Sequence, residues 1–403
     1  MRTTILLLAI AATLVGREAG AQPAPWAPER LTPGWVFTPS GVVGVLHDSN
    51  VTLRAVNEPI QSQVVTLVNP RGELDFNGRR THFNIGYSGA LEAYQQFSEL
   101  NRYEQRGRLE LRHQAQPHLQ LFSTASYASV PTTDRLELGA GVLPFIGIGS
   151  THADVGGGFH LQTSPRTRVE GGLNVQSIRF DRTEPQDPNQ LIGYLRNGHS
   201  ISPSLSTMYS VAAHVSVGGA WSYRHAVVSD GTQIIDVQTA TADVEWQPGE
   251  HTSVHGGIGA AHLHSTTDLI SRWGPAYHVG LDHSEGRLAL SGSYERSFVP
   301  SIGFGGLNAN QRVSGSAHIP FAAGRMSIGG NVAYGQISPV DLLGLDYTLN
   351  SVWTQGTLGY QVTRWLRAEG FLNRTHQTST ARGLVDRTRI GVEFVTSKPV
   401  RIQ

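Results

Sequence analysis

Cysteine is missing from the 403-residue chain, lysine occurs once, at Lys398, and charged side chains make up only 15%. Without cysteine there is no disulfide, no thiolate metal ligand, no cysteine nucleophile and no lipidated N-terminal cysteine. A charged fraction well below the ~25% of ordinary soluble domains argues against a large solvated surface. Lys+Arg 31 cancels Asp+Glu 31, which argues against a nucleic-acid binder held by phosphate attraction. Past the first residues there is no run of ~18 apolar residues, so no transmembrane helix is expected there. Phosphate loops, dinucleotide fingerprints and Gly-x-Ser-x-Gly elbows are lacking too.

The N-terminus has the form of an address. Met1-Arg2-Thr3-Thr4 is a short basic start, residues 5–15 are almost uninterrupted apolar, and Ala19-Gly20-Ala21 supplies the small residues of a cleavage site. This pattern predicts a signal peptide over 1–21, because the apolar run is too short to span a bilayer as a helix. Residues 22–33, rich in Pro and Ala, are expected to form a flexible lead-in, and 34–403 a single domain.

The dominant period of that domain is two. Phe83, Ile85, Tyr87 and Leu91 alternate with His82, Asn84, Ser88 and Glu92, and Ile390, Val392 and Phe394 alternate with Arg389, Gly391 and Glu393. Val211, Ala213, Val215, Val217, Trp221 and Tyr223 are read as one face of a strand, with His214, Ser216, Gly218, Ser222 and Arg224 on the other. Such alternation means half-exposed strands. Many runs exceed the ~5–6 residues of soluble strands and suit the ~9–11 residues of a tilted membrane-crossing strand.

Connections alternate in length. Short turns are expected at Asn77-Gly78, Pro117-His118, Pro165-Arg166, Gly249-Glu250, Glu285-Gly286 and Ala323-Gly324, and longer segments over 131–150, 182–190, 300–310, 338–350 and 377–385. The expected fold is therefore all-β: a transmembrane antiparallel up-and-down β-barrel of about 18 strands, with short periplasmic turns and longer extracellular loops. The weakest strands are the second, interrupted by Pro70-Arg71-Gly72, and the eighth, placed at 191–202 before a ninth at 209–225. Tyr127, Trp221, Tyr223, Trp246, Tyr277, Tyr294, Tyr334, Tyr360 and Trp365 suit interfacial girdles. The apolar segment 131–150 is expected to pack in an ordered way, across the rim or inward.

If the apolar face meets lipid, the polar face lines a lumen. The expected lining is Arg106, Arg108, Glu110 and Arg112, then Arg168, Glu170, Asn174 and Gln176, then Asp243, Glu245, Glu295, Arg312 and His318. Arg367, Glu369, Arg387, Arg389 and Glu393 complete its charged part, and Trp353 and Phe371 are its inward aromatics. A barrel of this size leaves an aqueous channel unless a loop plugs it.

No catalytic group, cofactor or metal site is expected. His251 and His255 would lie about 13 Å apart on a strand, too far for one ion. His262 and His264 share a face, with His278 on the next strand as a conceivable third ligand, but lumen or rim histidines account for them better. The expected partners are outer-membrane lipid and the barrel-assembly machinery; the oligomeric state stays open.

Gly44-Val45-Leu46-His47-Asp48-Ser49-Asn50-Val51 resembles the opening aromatic-Asp-Asp-Asn-Val segment of outer-membrane β-barrel porins associated with exopolysaccharide export. This chain has His47-Asp48-Ser49 where that family more often has Tyr-Asp-Asp. Residues 74–94, Leu100-Asn101-Arg102 and 105–111 resemble the strands that follow. The resemblance implies a channel through which a secreted polysaccharide leaves the cell, with periplasmic or lipoprotein export components as partners, and no catalytic residues. A barrel enzyme acting on lipid or surface polymer, and a structural or adhesive barrel, are the rival classes.

Overall fold

A computed structural model describes residues 34–98, 101–130, 149–181, 197–228, 233–266, 270–300, 307–339, 348–379 and 383–402. The signal-peptide and lead-in expectations, and nearly all of segment 131–150, lie outside the described residues. The strands are β1 (Gly34–Asp48), β2 (Gln63–Asn77), β3 (Thr81–Tyr94), β4 (Arg102–Gln116), β5 (Leu119–Val130) and β6 (Ser150–Ser164). Next come β7 (Thr167–Phe180), β8 (Gly198–Ala212), β9 (Val215–Val228), β10 (Gln233–Gly249), β11 (Thr252–Ser265) and β12 (Ile270–Glu285). The chain finishes with β13 (Leu288–Pro300), β14 (Leu307–Phe321), β15 (Met326–Pro339), β16 (Leu349–Thr363), β17 (Leu366–Ser379), β18 (Gly383–Ser397) and the short β19 (Val400–Ile402).

Strands β1 to β18 each pair antiparallel with their sequence neighbours, and β1 also pairs with β18. The sheet thus closes into an 18-stranded up-and-down barrel, which lets its strands satisfy their backbone groups on one another inside a bilayer. β19 continues β18 past Lys398-Pro399: it pairs with Trp35–Phe37 of β1, while the Lys398 amide donates to the Pro39 carbonyl at 3.2 Å. Turns and long connections alternate around the ring, so both Gly34 and Ile402 lie on the short-turn rim.

The two faces differ as alternation demands. Outward positions are apolar and open: Val43 is 57% exposed and Ile258 71%. Such a surface would be an aggregation liability in water and suits hydrocarbon. The polar face is concave. Arg168 of β7 reaches Glu245 of β10 at 3.2 Å, and Arg389 of β18 reaches Glu92 of β3 at 2.5 Å. Pairs that skip two strands can converge only inside a curved wall.

Two strand boundaries differ from the sequence reading. β8 runs 198–212 rather than 191–202, and Ala213-His214 is a two-residue turn, not the middle of a strand. The turn carries no Gly or Pro, and Val211 and Val217 are outward on either side of it, so the alternation passes through without a break. β2 is continuous across Pro70: its ladder with β1 is unbroken, and only the β2–β3 ladder lapses, between Val68 and Arg71. A proline without an N–H can stand where one ladder is interrupted.

Candidate channel lumen

Register alone places the expected lining on the polar face. Asp243, Gly257, His278, Glu295 and Arg312 are successive partners across β10 to β14. Arg106, Arg108, Glu110 and Arg112 share that face with Ser88, Gly86, Asn84 and His82, their partners on β3. Trp353 lies opposite Thr375, and Thr375 opposite Arg387. Arg168, Glu170, Asn174 and Gln176 occupy the same face of β7, opposite Gln162, His160, Gly156 and Asp154. His318 lies opposite Gly329.

Most of these charges are paired. Arg106 binds Glu104, Arg108 binds Glu73, and Arg112 binds Glu110 at 2.5 Å. Arg168 bridges Glu170 at 3.0 Å and Glu245 at 3.2 Å. Arg367 holds Glu369 at 2.8 Å and donates to Ser327 Oγ at 2.8 Å. Glycines make room for side chains lying flat on the wall: a Cβ on Gly359 would overlap the Arg367 guanidinium, and one on Gly257 would overlap Asp243 and the His278 ring. Glu393 stands directly opposite Glu369 on the neighbouring strand, a like-charge pair.

Three carboxylates outside the expected lining join this face. Asp48, Glu92 and Glu104 are all buried or nearly so and all take part in ion pairs. Asp48 ends β1, Glu104 is the third residue of β4, and Glu92 shares the β3 face of Asn84 and Ser88, so parity places all three. Among the described strand residues of this face carboxylates and guanidiniums are nearly equal in number.

Hydroxyls fill other sectors. Ser291–Ser316 and Ser293–Ser314 meet Oγ to Oγ at 2.6 Å between β13 and β14, and Ser210–Ser216 at 3.0 Å between β8 and β9.

The lumen is not polar throughout. Leu46, Val51, Val65 and Tyr94 form a buried apolar cluster, with Leu67, Phe97 and Phe371 packed against it. Val51 belongs to the β1–β2 connection, which is tied down by Ser49 N–H to the Thr388 carbonyl at 2.9 Å and Val56 N–H to the Leu384 carbonyl at 2.8 Å. Phe371 therefore faces inward but packs against this cluster. Half a turn away, Ile235, Val237, Ala261, Leu263 and Ala276 are inward and buried. In this sector of the barrel β10 comes within 8 Å, Cα to Cα, of β13. Strands three apart in a flat sheet would be separated by ~14 Å. Gly257, Gly259, Gly274 and Gly280 on the intervening inner face leave room for so sharp a bend.

The histidines do not assemble a metal site. His262 faces outward with its ring 4.6 Å from Trp273, whereas His255 and His278 face inward with rings 6.4 Å apart. Among the described residues no three His, Asp or Glu side chains converge as metal ligands.

No family model matches the chain, and no curated protein does. Solved structures resemble its trace. OccAB4 of Acinetobacter baumannii aligns with a TM-score of 0.47 at 8% identity, over 93% of this chain and 100% of that one. OccK1 (OpdK) of Pseudomonas aeruginosa aligns with a TM-score of 0.45 at 10% identity, over 90% and 99%. The FrpB iron transporter of Neisseria meningitidis aligns with a TM-score of 0.44 at 11% identity, over 90% and 81%. The barrel itself stands on this chain's own ladders and side chains.

Proposed function

We propose that the protein is a passive channel of the bacterial outer membrane. The observation that carries this reading is the two-faced closed sheet: an apolar exterior that only lipid can cover, around an interior lined by ion pairs and serine hydroxyls. Outer-membrane lipid is the first partner this implies, and insertion by the barrel-assembly machinery follows from it. Covalent chemistry is not needed; selectivity would come from lumen width and the charge of its wall. Purified protein added to a planar bilayer should give discrete conductance steps. A barrel that inserts and stays silent would exclude the channel and leave an enzymatic or adhesive barrel.

Export of a secreted polysaccharide is the narrower form of this proposal. The serine-lined sectors at β8–β9 and β13–β14, with Trp353 as an inward aromatic, favour it, because neutral hydroxyls and one flat ring suit a sliding sugar chain better than a charged wall does. Periplasmic or lipoprotein export components would then be its partners. Deleting the gene should abolish surface polysaccharide while uptake of small solutes is unchanged; the opposite pattern would leave a general porin.

A further inference from the structure

The outward face changes character where β12 meets β13. Tyr277 and Tyr294 stack with ring centroids 5.5 Å apart and hydroxyls at 3.3 Å. Arg296, opposite Tyr277 in the ladder, sets its guanidinium carbon 5.8 Å from that ring's centre and donates from Nη1 to the Tyr277 hydroxyl at 3.2 Å. Gln311 is the next outward neighbour, on β14. The Tyr277–Arg296 pair is the last between the two strands. Toward the long-loop rim, residues 270–276 pair only with β11, and residues 297–300 only with β14. The strand edges part there into a cleft above Arg296, and the Phe298 ring projects into it against Gly274. On its β12 side Trp273 is 70% exposed, backed by His262, whose Nε2 meets Ser271 Oγ at 2.9 Å.

Arg296 has no carboxylate partner among the described residues. Arg374, another outward arginine near the same rim, is neutralised by Asp386 through contacts at 2.8 and 3.3 Å. A guanidinium at the edge of the hydrocarbon zone needs either water or an anion. Tyr277 fixes this one through a single N–H and leaves the remaining donors of a fork that matches phosphate.

We propose that this cleft is a binding site for the phosphorylated headgroup of an outer-leaflet glycolipid. The phosphate sits on Arg296 and Gln311, and the sugar lies against Trp273, about 13 Å further along β12 at ~3.3 Å per residue. The site rests on the outer-membrane reading above.

The test uses full-length protein in detergent, titrated with a bisphosphorylated glucosamine glycolipid, its dephosphorylated form and inorganic phosphate. The phosphorylated lipid should bind and raise the unfolding temperature, and the other two should do neither. Arg296→Gln should weaken binding at least tenfold, Trp273→Ala by less, and Arg374→Gln should leave it unchanged. Equal binding of the dephosphorylated lipid, or retained affinity in Arg296→Gln, would reduce the cleft to ordinary apolar annulus. Stabilisation by inorganic phosphate alone would also overturn it, as a plain anion site. Conductance of the wild type is read in parallel: lipid binding without conductance removes the channel and keeps this site, and the converse removes only this site.

Discussion

Arg387 grips Asp48 with two nitrogens across 339 residues of sequence, Nε at 3.0 and 3.1 Å from the two carboxylate oxygens and Nη2 at 2.5 Å from one of them. Asp48 is 0% exposed. It also takes Arg389 Nε at 3.3 Å and the Asn50 amide at 3.0 Å. These residues stand where the first strand meets the last. The His47-Asp48-Ser49-Asn50-Val51 segment thus serves the architecture of the barrel. Asp48 holds the seam, Asn50 Nδ2 donates to the Arg54 and Asp386 carbonyls, and Val51 seats the first long connection.

Breaking the seam should be costly. Removing one member of a buried pair typically costs about 3–5 kcal/mol, because the other charge is left uncompensated. Asp48→Ala should therefore lower the temperature at which the folded barrel is lost on heat-modifiability gels. The double variant Asp48→Leu/Arg387→Met should recover much of that loss. Equal losses in the single and double variants would show that the uncompensated Arg387 charge is not the source of the cost.

The outward and inward faces should respond oppositely to the same charge. Ile258→Arg, placed on the exposed apolar belt, should destabilise the inserted barrel by about 2–4 kcal/mol. Ser293→Arg, on the polar face, should leave folding nearly intact and alter conductance instead. Matching losses in urea unfolding from lipid vesicles would mean the faces have been assigned wrongly.

The exposed carboxylate of Glu295 on the inner wall should bias the channel toward cations. Glu295 is exposed on that wall, and its neighbours there are His278 and Arg312. Glu295→Gln should shift the reversal potential measured in a potassium chloride gradient toward anions, with the folded fraction unchanged. An anion-selective wild type would sink this expectation outright.

The connection seated by Val51 should limit the lumen. Val51→Ser removes a buried apolar side chain and should cost about 1–2 kcal/mol, near the lower end for a full burial. It should also release the segment, raising single-channel conductance or adding current noise. Unchanged conductance with reduced stability would place the obstruction elsewhere.

The sequence alone determined which side of each strand faces which medium. Side chains on a strand alternate strictly, so parity assigns Arg106, Glu245, Trp353 and Arg389 to one face without any knowledge of partners. The number of strands and the two kinds of connection were equally legible, since Gly and Pro mark most turns. The alternation failed only at Ala213-His214, where a turn keeps the same rhythm as the strands around it. Tertiary structure decided everything that depends on closure and curvature. It brought Arg387 to Asp48 and Arg168 to Glu245, packed Phe371 against an internal apolar cluster, and left Arg296 with no carboxylate among the described residues where two strands part. Those outcomes depend on how far the wall bends and where the ring closes, which alternation along a single strand does not encode.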